Sequence, residues 1–292
     1  MIAIERILCP IDLSPDSNEA LGYAVAMARA YGAKLTVCHC LEPTRYANEA
    51  VRSQTHALIA SSVHECQALQ TPGPLQLESR VIEGDSTVDI VKEAITRRTD
   101  LIVLRSRRRP LAAAIFGSTA EAICRETPCP VLVTHPDGRE WKGLSVGEVM
   151  IKRVLVAHDF SPNSEAALAH ALSLAQEQQA ELHILHVMLP LGDDLPYIED
   201  LIQDASQRLR QIIPQEARLW CKVTRVLRAG QPYGEVLDYA LEHEMDLICM
   251  GKHGSGGGLL TLFGSNTDRV LRQAPCPVLV APAVSAESAS QR

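Results

Sequence analysis

Short apolar runs alternate with longer stretches of helical periodicity through most of this chain. That is the pattern of a parallel sheet whose strands are joined by crossover helices. In the second half the runs predict strands at 153–158, 181–188, 220–227, 246–251 and 277–281, with helices near 163–178, 197–213, 233–243 and 265–272. The first half gives the same succession, with strands near 6–11, 34–41, 76–82, 101–105 and 131–135. The expected fold is α/β: two tandem doubly wound domains, each a five-stranded parallel sheet of order 3-2-1-4-5 with helices on both faces.

The two halves repeat at a nearly fixed offset. Adding 147 to Ile11-Asp12-Leu13-Ser14-Pro15 lands on His158-Asp159-Phe160-Ser161-Pro162, and adding it to Phe116-Gly117-Ser118 lands on Phe263-Gly264-Ser265. The run Pro128-Cys129-Pro130-Val131-Leu132-Val133 returns in the same way as Pro275-Cys276-Pro277-Val278-Leu279-Val280. Between these matches the offset slips by one, since Asp100-Leu101-Ile102 answers to Asp246-Leu247-Ile248. The loop after the fourth strand is therefore built differently in the two halves. A length of 292 residues suffices for two buried cores. The expected division is a domain over 1–138, a linker over 139–150, a domain over 151–284 and a disordered tail over 285–292. Around the boundary, Pro136-Asp137-Gly138-Arg139-Glu140-Trp141-Lys142-Gly143 has turn residues and no apolar periodicity.

Charge and cysteine content narrow the classes. A formal net charge of -7 and a pI near 5.8 argue against general nucleic-acid binding, which needs a basic surface to displace counterions. No apolar run is long enough to span a bilayer, and the first residues carry Glu5 and Arg6 in place of a signal-peptide core, so a cytoplasmic protein without membrane partners is expected. Five of the nine cysteines (9, 38, 40, 221 and 249) fall in predicted strands, where thiols behave as small hydrophobes and stay reduced. Cys38-His39-Cys40 has the look of a metal fragment, but strand alternation sends His39 to the face opposite the two thiols, and no metal site is expected.

The candidate chemistry lies in the second half. Gly251-Lys252-His253-Gly254, then Gly264-Ser265-Asn266-Thr267, set glycines where backbone N–H groups can approach a phosphate chain, ahead of a helix start. With the order 3-2-1-4-5, Asp159 at the end of the first strand faces Gly251 at the end of the fourth, at the switch point where α/β sheets bind ligands. A carboxylate there can take a ribose hydroxyl. The run Gly256-Gly257-Gly258 lets the loop fold around phosphates.

These residues, with the Pro-Cys-Pro-Val-Leu-Val endings, resemble the universal stress protein family, whose nucleotide signature G-x2-G-x9-G-[ST] is matched by Gly251, Gly254, Gly264 and Ser265. The resemblance covers nearly the whole chain. It implies ATP or another adenine nucleotide as ligand, with Mg2+ as an open companion. It assigns ribose to Asp159, adenine to Ala157 and Val187, and phosphates to 251–254 and 264–267, and Met250 is counted with these nucleotide-binding residues. It also implies that the two halves pair through their last strands and leaves a homodimer open. The first half keeps Asp12, Gly117, Ser118 and Thr119, but Arg105 and Arg108 replace the two leading glycines and Cys40 replaces Val187. That half is expected to bind ATP weakly or not at all. Arg105, Arg107, Arg108 and Arg109 read as a solvated basic loop, with anion capture as the alternative.

Plainer readings stand beside these. Ser118-Thr119-Ala120-Glu121 forms a capping box and Ser265 with Asp268 a looser one, while Asp12 and Asp159 precede Ser-Pro and can simply turn the chain into a helix. Lys252 and His253 either neutralise phosphate or stand exposed. The chain has no Walker A loop and offers neither a nucleophile elbow nor a carboxylate pair that can be defended, so the leading expectation is a regulatory binding protein with at most slow ATP hydrolysis. The alternatives are an ATP-dependent hydrolase or nucleotidyl-transfer enzyme, and an interaction scaffold whose first half binds another ligand.

Overall fold

The computed structural model describes residues 2–41, 49–68, 75–106, 118–135, 139, 141, 150–189, 198–254 and 264–283. The chain divides into two compact units, Ala3–Met150 and Ile151–Arg292 with Met1–Ile2.

The first unit runs β1 (Arg6–Pro10), α1 (Pro15–Tyr31), β2 (Lys34–Leu41), α2 (Glu49–Ala68), β3 (Gln76–Glu83), α3 (Val88–Thr96), β4 (Leu101–Arg105), α4 (Ser118–Glu126) and β5 (Val131–Thr134). Its strands are parallel in the order β3-β2-β1-β4-β5. Helix α1 packs beside α2 and α3 beside α4, and right-handed crossovers put the two pairs on opposite faces. The middle strands explain the unbroken apolar runs: Ile7, Leu8 and Cys9 of β1 and Leu101 to Leu104 of β4 are buried between the helix layers.

The second unit repeats this as β6 (Arg153–Ala157), α5 (Pro162–Gln178), β7 (Glu181–Met188), α6 (Ile198–Gln211), α7 (Ala217–Trp220), β8 (Val223–Ala229), α8 (Pro232–Glu242), β9 (Leu247–Gly251), α9 (Ser265–Gln273) and β10 (Val278–Ala281). Its parallel order is β8-β7-β6-β9-β10. Each unit therefore has the expected 3-2-1-4-5 order, whose switch point falls between its first and fourth strands.

One predicted strand starts too early. Trp220 closes the short helix α7, and β8 begins at Val223, because the β7 ladder offers its first partner there: Leu182 pairs with Val223. The preceding turn is instead closed by the Cys221 N–H donating to the Ala217 carbonyl at 2.9 Å. Cys221 therefore lies before the strand, with its thiol donating to the Ala180 carbonyl at 3.0 Å. Cys9, Cys38, Cys40, Cys124, Cys129, Cys221, Cys249 and Cys276 are free thiols, all of them buried except the half-buried Cys40. No helix among the described residues is long and apolar enough to cross a membrane. The tail expected over 285–292 and most of the linker expected over 139–150 lie outside the described residues.

Candidate functional site

The pairing of Ala157 with Met250 brings the ends of β6 and β9 side by side. Beyond β6 the chain passes through His158 and Asp159, then reverses at Phe160, whose φ of 62° is left-handed. It enters α5 with Ser161 as the cap, and Ser161 and Ser164 form a reciprocal capping box. Asp159 Oδ1 accepts the Ser161 N–H at 3.1 Å, so the turn-forming reading holds for one carboxylate oxygen. The other faces the loop: a Cβ at Gly254 would lie 2.7 Å from Asp159 Oδ2.

Gly251 has a reason that the sequence did not disclose. A Cβ there would stand 2.7 Å from Asn163 Cβ and 2.9 Å from the Ser164 nitrogen, in the first turn of α5. Only glycine lets that helix start rest on the end of β9. The Thr267 hydroxyl, buried, donates to the Gly251 carbonyl at 2.9 Å and ties the start of α9 to the same spot. The Lys252 N–H continues the ladder to the Ala281 carbonyl at 2.8 Å, and the Gly264 N–H donates to the Lys252 carbonyl at 3.2 Å, drawing the two ends of the loop together. Gly256 to Gly258 lie outside the described residues.

The capping role considered for Ser265 does not occur. Gly264 is the N-cap of α9 and no side chain caps that helix, because Ser265 is already its first residue. Ser265 is exposed and Asn266 half-buried. The first turn of α9 thus presents backbone N–H groups and the positive end of its dipole beside Gly264.

Charge around this end is moderate. Burial and then the neighbouring Lys252 hold His253 below its ordinary range, which leaves Lys252 as the cation of the Gly251–Gly254 segment at neutral pH. Ala157 and Val187 are half-buried and Met250 is buried, at the ends of β6, β7 and β9. Beside them lies a ring cluster that has no motif to announce it. Phe160 packs against His186 with centroids 4.5 Å apart and under Arg208 of α6 at 3.9 Å. His186 Nδ1 donates to the His158 carbonyl at 2.7 Å, and His39 Nδ1 makes the matching bond to the Ile11 carbonyl at 2.8 Å in the first unit.

In the first unit Leu13 takes the same left-handed turn, with φ 61°, and the Asp12 carboxylate accepts from the Ser14 N–H at 3.0 Å. The expectation of a solvated loop fails at Arg105. Its side chain is only 7% exposed and pairs with Glu19 of α1. Arg107 to Arg109 and Gly117 lie outside the described residues, as does the side chain of Ser118, while Thr119 is half-buried. Among the described residues no group of three or more His, Cys, Asp or Glu could hold a metal ion.

A fold of two such units, with this glycine-marked switch point in the second, is that of the universal stress proteins, and the family's model matches residues 3–135 and 150–282. The chain belongs to the universal stress protein family. It is 26% identical to a universal stress protein of Mycolicibacterium smegmatis, over 94% of this chain and 96% of that one. It is 31% identical to the Mycobacterium tuberculosis universal stress protein Rv2005c, over 74% of this chain and 72% of that one. Its fold is also that of a crystallised universal stress protein from Archaeoglobus fulgidus, with a TM-score of 0.69 and 21% identity over 97% of this chain and 100% of that one.

Proposed function

We propose that this chain is a cytoplasmic regulatory protein that binds ATP or a closely related adenine nucleotide in its second half, with at most slow hydrolysis. The observation that carries the reading is the start of α9. Helix α9 opens on Gly264 without a side-chain cap, as α3 and α8 do on Thr87 and Gln231, and its start is fastened to the Gly251–Gly254 segment by the Thr267 hydroxyl and the Gly264 N–H. An anion suits such a helix start, since the unpaired backbone donors and the dipole both favour negative charge. Phosphates would take the N–H groups of Ser265 and Asn266, with Lys252 as the nearby cation. Thr267 would act as a strut, because its hydroxyl already serves the Gly251 carbonyl. Asp159 Oδ2 is turned toward Gly254 and would accept a ribose hydroxyl. Ala157, Val187 and Met250 would supply the apolar wall for adenine. Any Mg2+ would arrive with the phosphates.

Slow chemistry fits the same residues, since hydrolysis requires a positioned base for water. Asp159 is engaged in its own turn, and burial keeps His253 a weak base. Calorimetry on the purified full chain should show ATP binding that Gly254→Arg weakens at least tenfold, because the new side chain meets the Asp159 carboxylate. Unchanged affinity in that variant would remove the loop from the site. Phosphate release at many turnovers per minute would replace the binding protein with an enzyme.

A further inference from the structure

We infer that the Arg105–Glu19 ion pair closes the ligand end of the first half, so that Glu19, acting through Arg105, restricts the chain to a single nucleotide site; this rests on the nucleotide reading of the second half. The argument comes from comparing the same two positions in each unit. At the end of the fourth strand the second unit has Gly251 and the first has Arg105; on the first helix, two residues beyond the Ser161–Ser164 and Ser14–Ser17 turns, the second has Ala166 and the first Glu19. Gly251 and buried Ala166 go with close contact, since a Cβ at 251 would fall within 2.9 Å of the α5 backbone. Arg105 and Glu19 go with an ion pair spanning from β4 to α1. The exchange has happened at both positions together. Arginine alone would bury an uncompensated charge, and one partner without the other is the costly state.

Geometry gives the pair its direction. The guanidinium is the inner member, 7% exposed, and the carboxylate is the outer one, 47% exposed. The cation is thus held beneath its partner at the level where the second unit presents Gly251. A third position agrees. Ala120 stands where Thr267 does, so the first unit also lacks the hydroxyl that fastens the last helix to the end of the fourth strand. Nucleotide entering this end would have to expel a buried guanidinium already neutralised by Glu19, which is why anion capture by Arg105 is not the outcome.

The test is native mass spectrometry of the full chain with millimolar ATP, together with thermal unfolding of the ligand-free protein. Wild type should carry a single nucleotide, and Arg105→Gly with Glu19→Ala should admit a second, held at least tenfold more weakly. In a Gly254→Arg background the same double change should leave first-half binding alone. A folded double variant that gains no nucleotide overturns the inference, whereas wild type that takes none overturns the reading of the second half instead. Thermal unfolding tests the pair independently of any ligand. Glu19→Ala should lower the midpoint by several degrees, and adding Arg105→Gly should restore part of the loss; strictly additive losses would mean that the two side chains do not act together.

Discussion

His158 Nε2 stands 3.5 Å from Glu165 Oε1, yet the imidazole is held neutral. Burial pushes its pKa down to about 4, with Asp159 opposing the shift and His186 and Arg208 adding to it. Nδ1 accepts the Phe160 N–H at 3.2 Å, so the ring proton sits on Nε2, toward Glu165. The unfolded chain, with histidine near its ordinary value, binds more protons than the folded chain between about pH 6.5 and 4. Stability from this group is therefore complete above that window and is lost as pH falls through it, by on the order of 2–3 kcal/mol. Glu165 contributes with opposite sign, since burial raises its pKa. Replacing His158 by Ile, the residue at the matching position 11, should flatten the decline in denaturant midpoint between pH 7 and 5; an undiminished decline would assign it to other groups.

At the scale of elements, the starts of α5 and α9 differ in what satisfies them. Ser161 satisfies a backbone donor at the start of α5, and Ser161→Ala should cost about 1 kcal/mol of stability with little effect on ligand affinity. Thr267→Val should cost roughly 1–2 kcal/mol by leaving the Gly251 carbonyl without its hydroxyl partner, and should also weaken nucleotide binding, because the start of α9 loses its tie to β9. Denaturant unfolding and calorimetry on the two variants separate these outcomes; equal affinity losses would contradict the distinction. The edge strand β8 makes a related point. Where it begins depends on where β7 has partners to offer, so the apolar pattern beginning at Trp220 could not locate it.

For the molecule as a whole, the proposal predicts an asymmetric response. Saturating ATP should slow amide exchange around residues 250–254 and 264–270 while leaving 101–106 and 118–126 unchanged; equal protection of both halves would contradict a single site. The repeat and the α/β class of each unit were legible in the sequence, because apolar periodicity and an offset of 147 are local properties that survive without coordinates; the strand order, a pairing of distant segments, entered only as a premise of the doubly wound pattern. Gly251, Gly254, Gly264 and Asp159 could be singled out for the same reason. Their surroundings could not. Gly251 packs on Asn163, Gly254 faces the Asp159 carboxylate, and Thr267 spends its hydroxyl on the Gly251 carbonyl, which are contacts between residues distant in sequence. Glu19 was invisible as a partner of Arg105, although the paired exchange with Ala166 and Gly251 was there to be read. The order of residues is enough to set most of the elements, their repetition and the positions of the glycines. Which side chains those glycines admit, and which buried charge closes the other half, follow from packing, because clashes and desolvation depend on distances that the assembled helices and strands create.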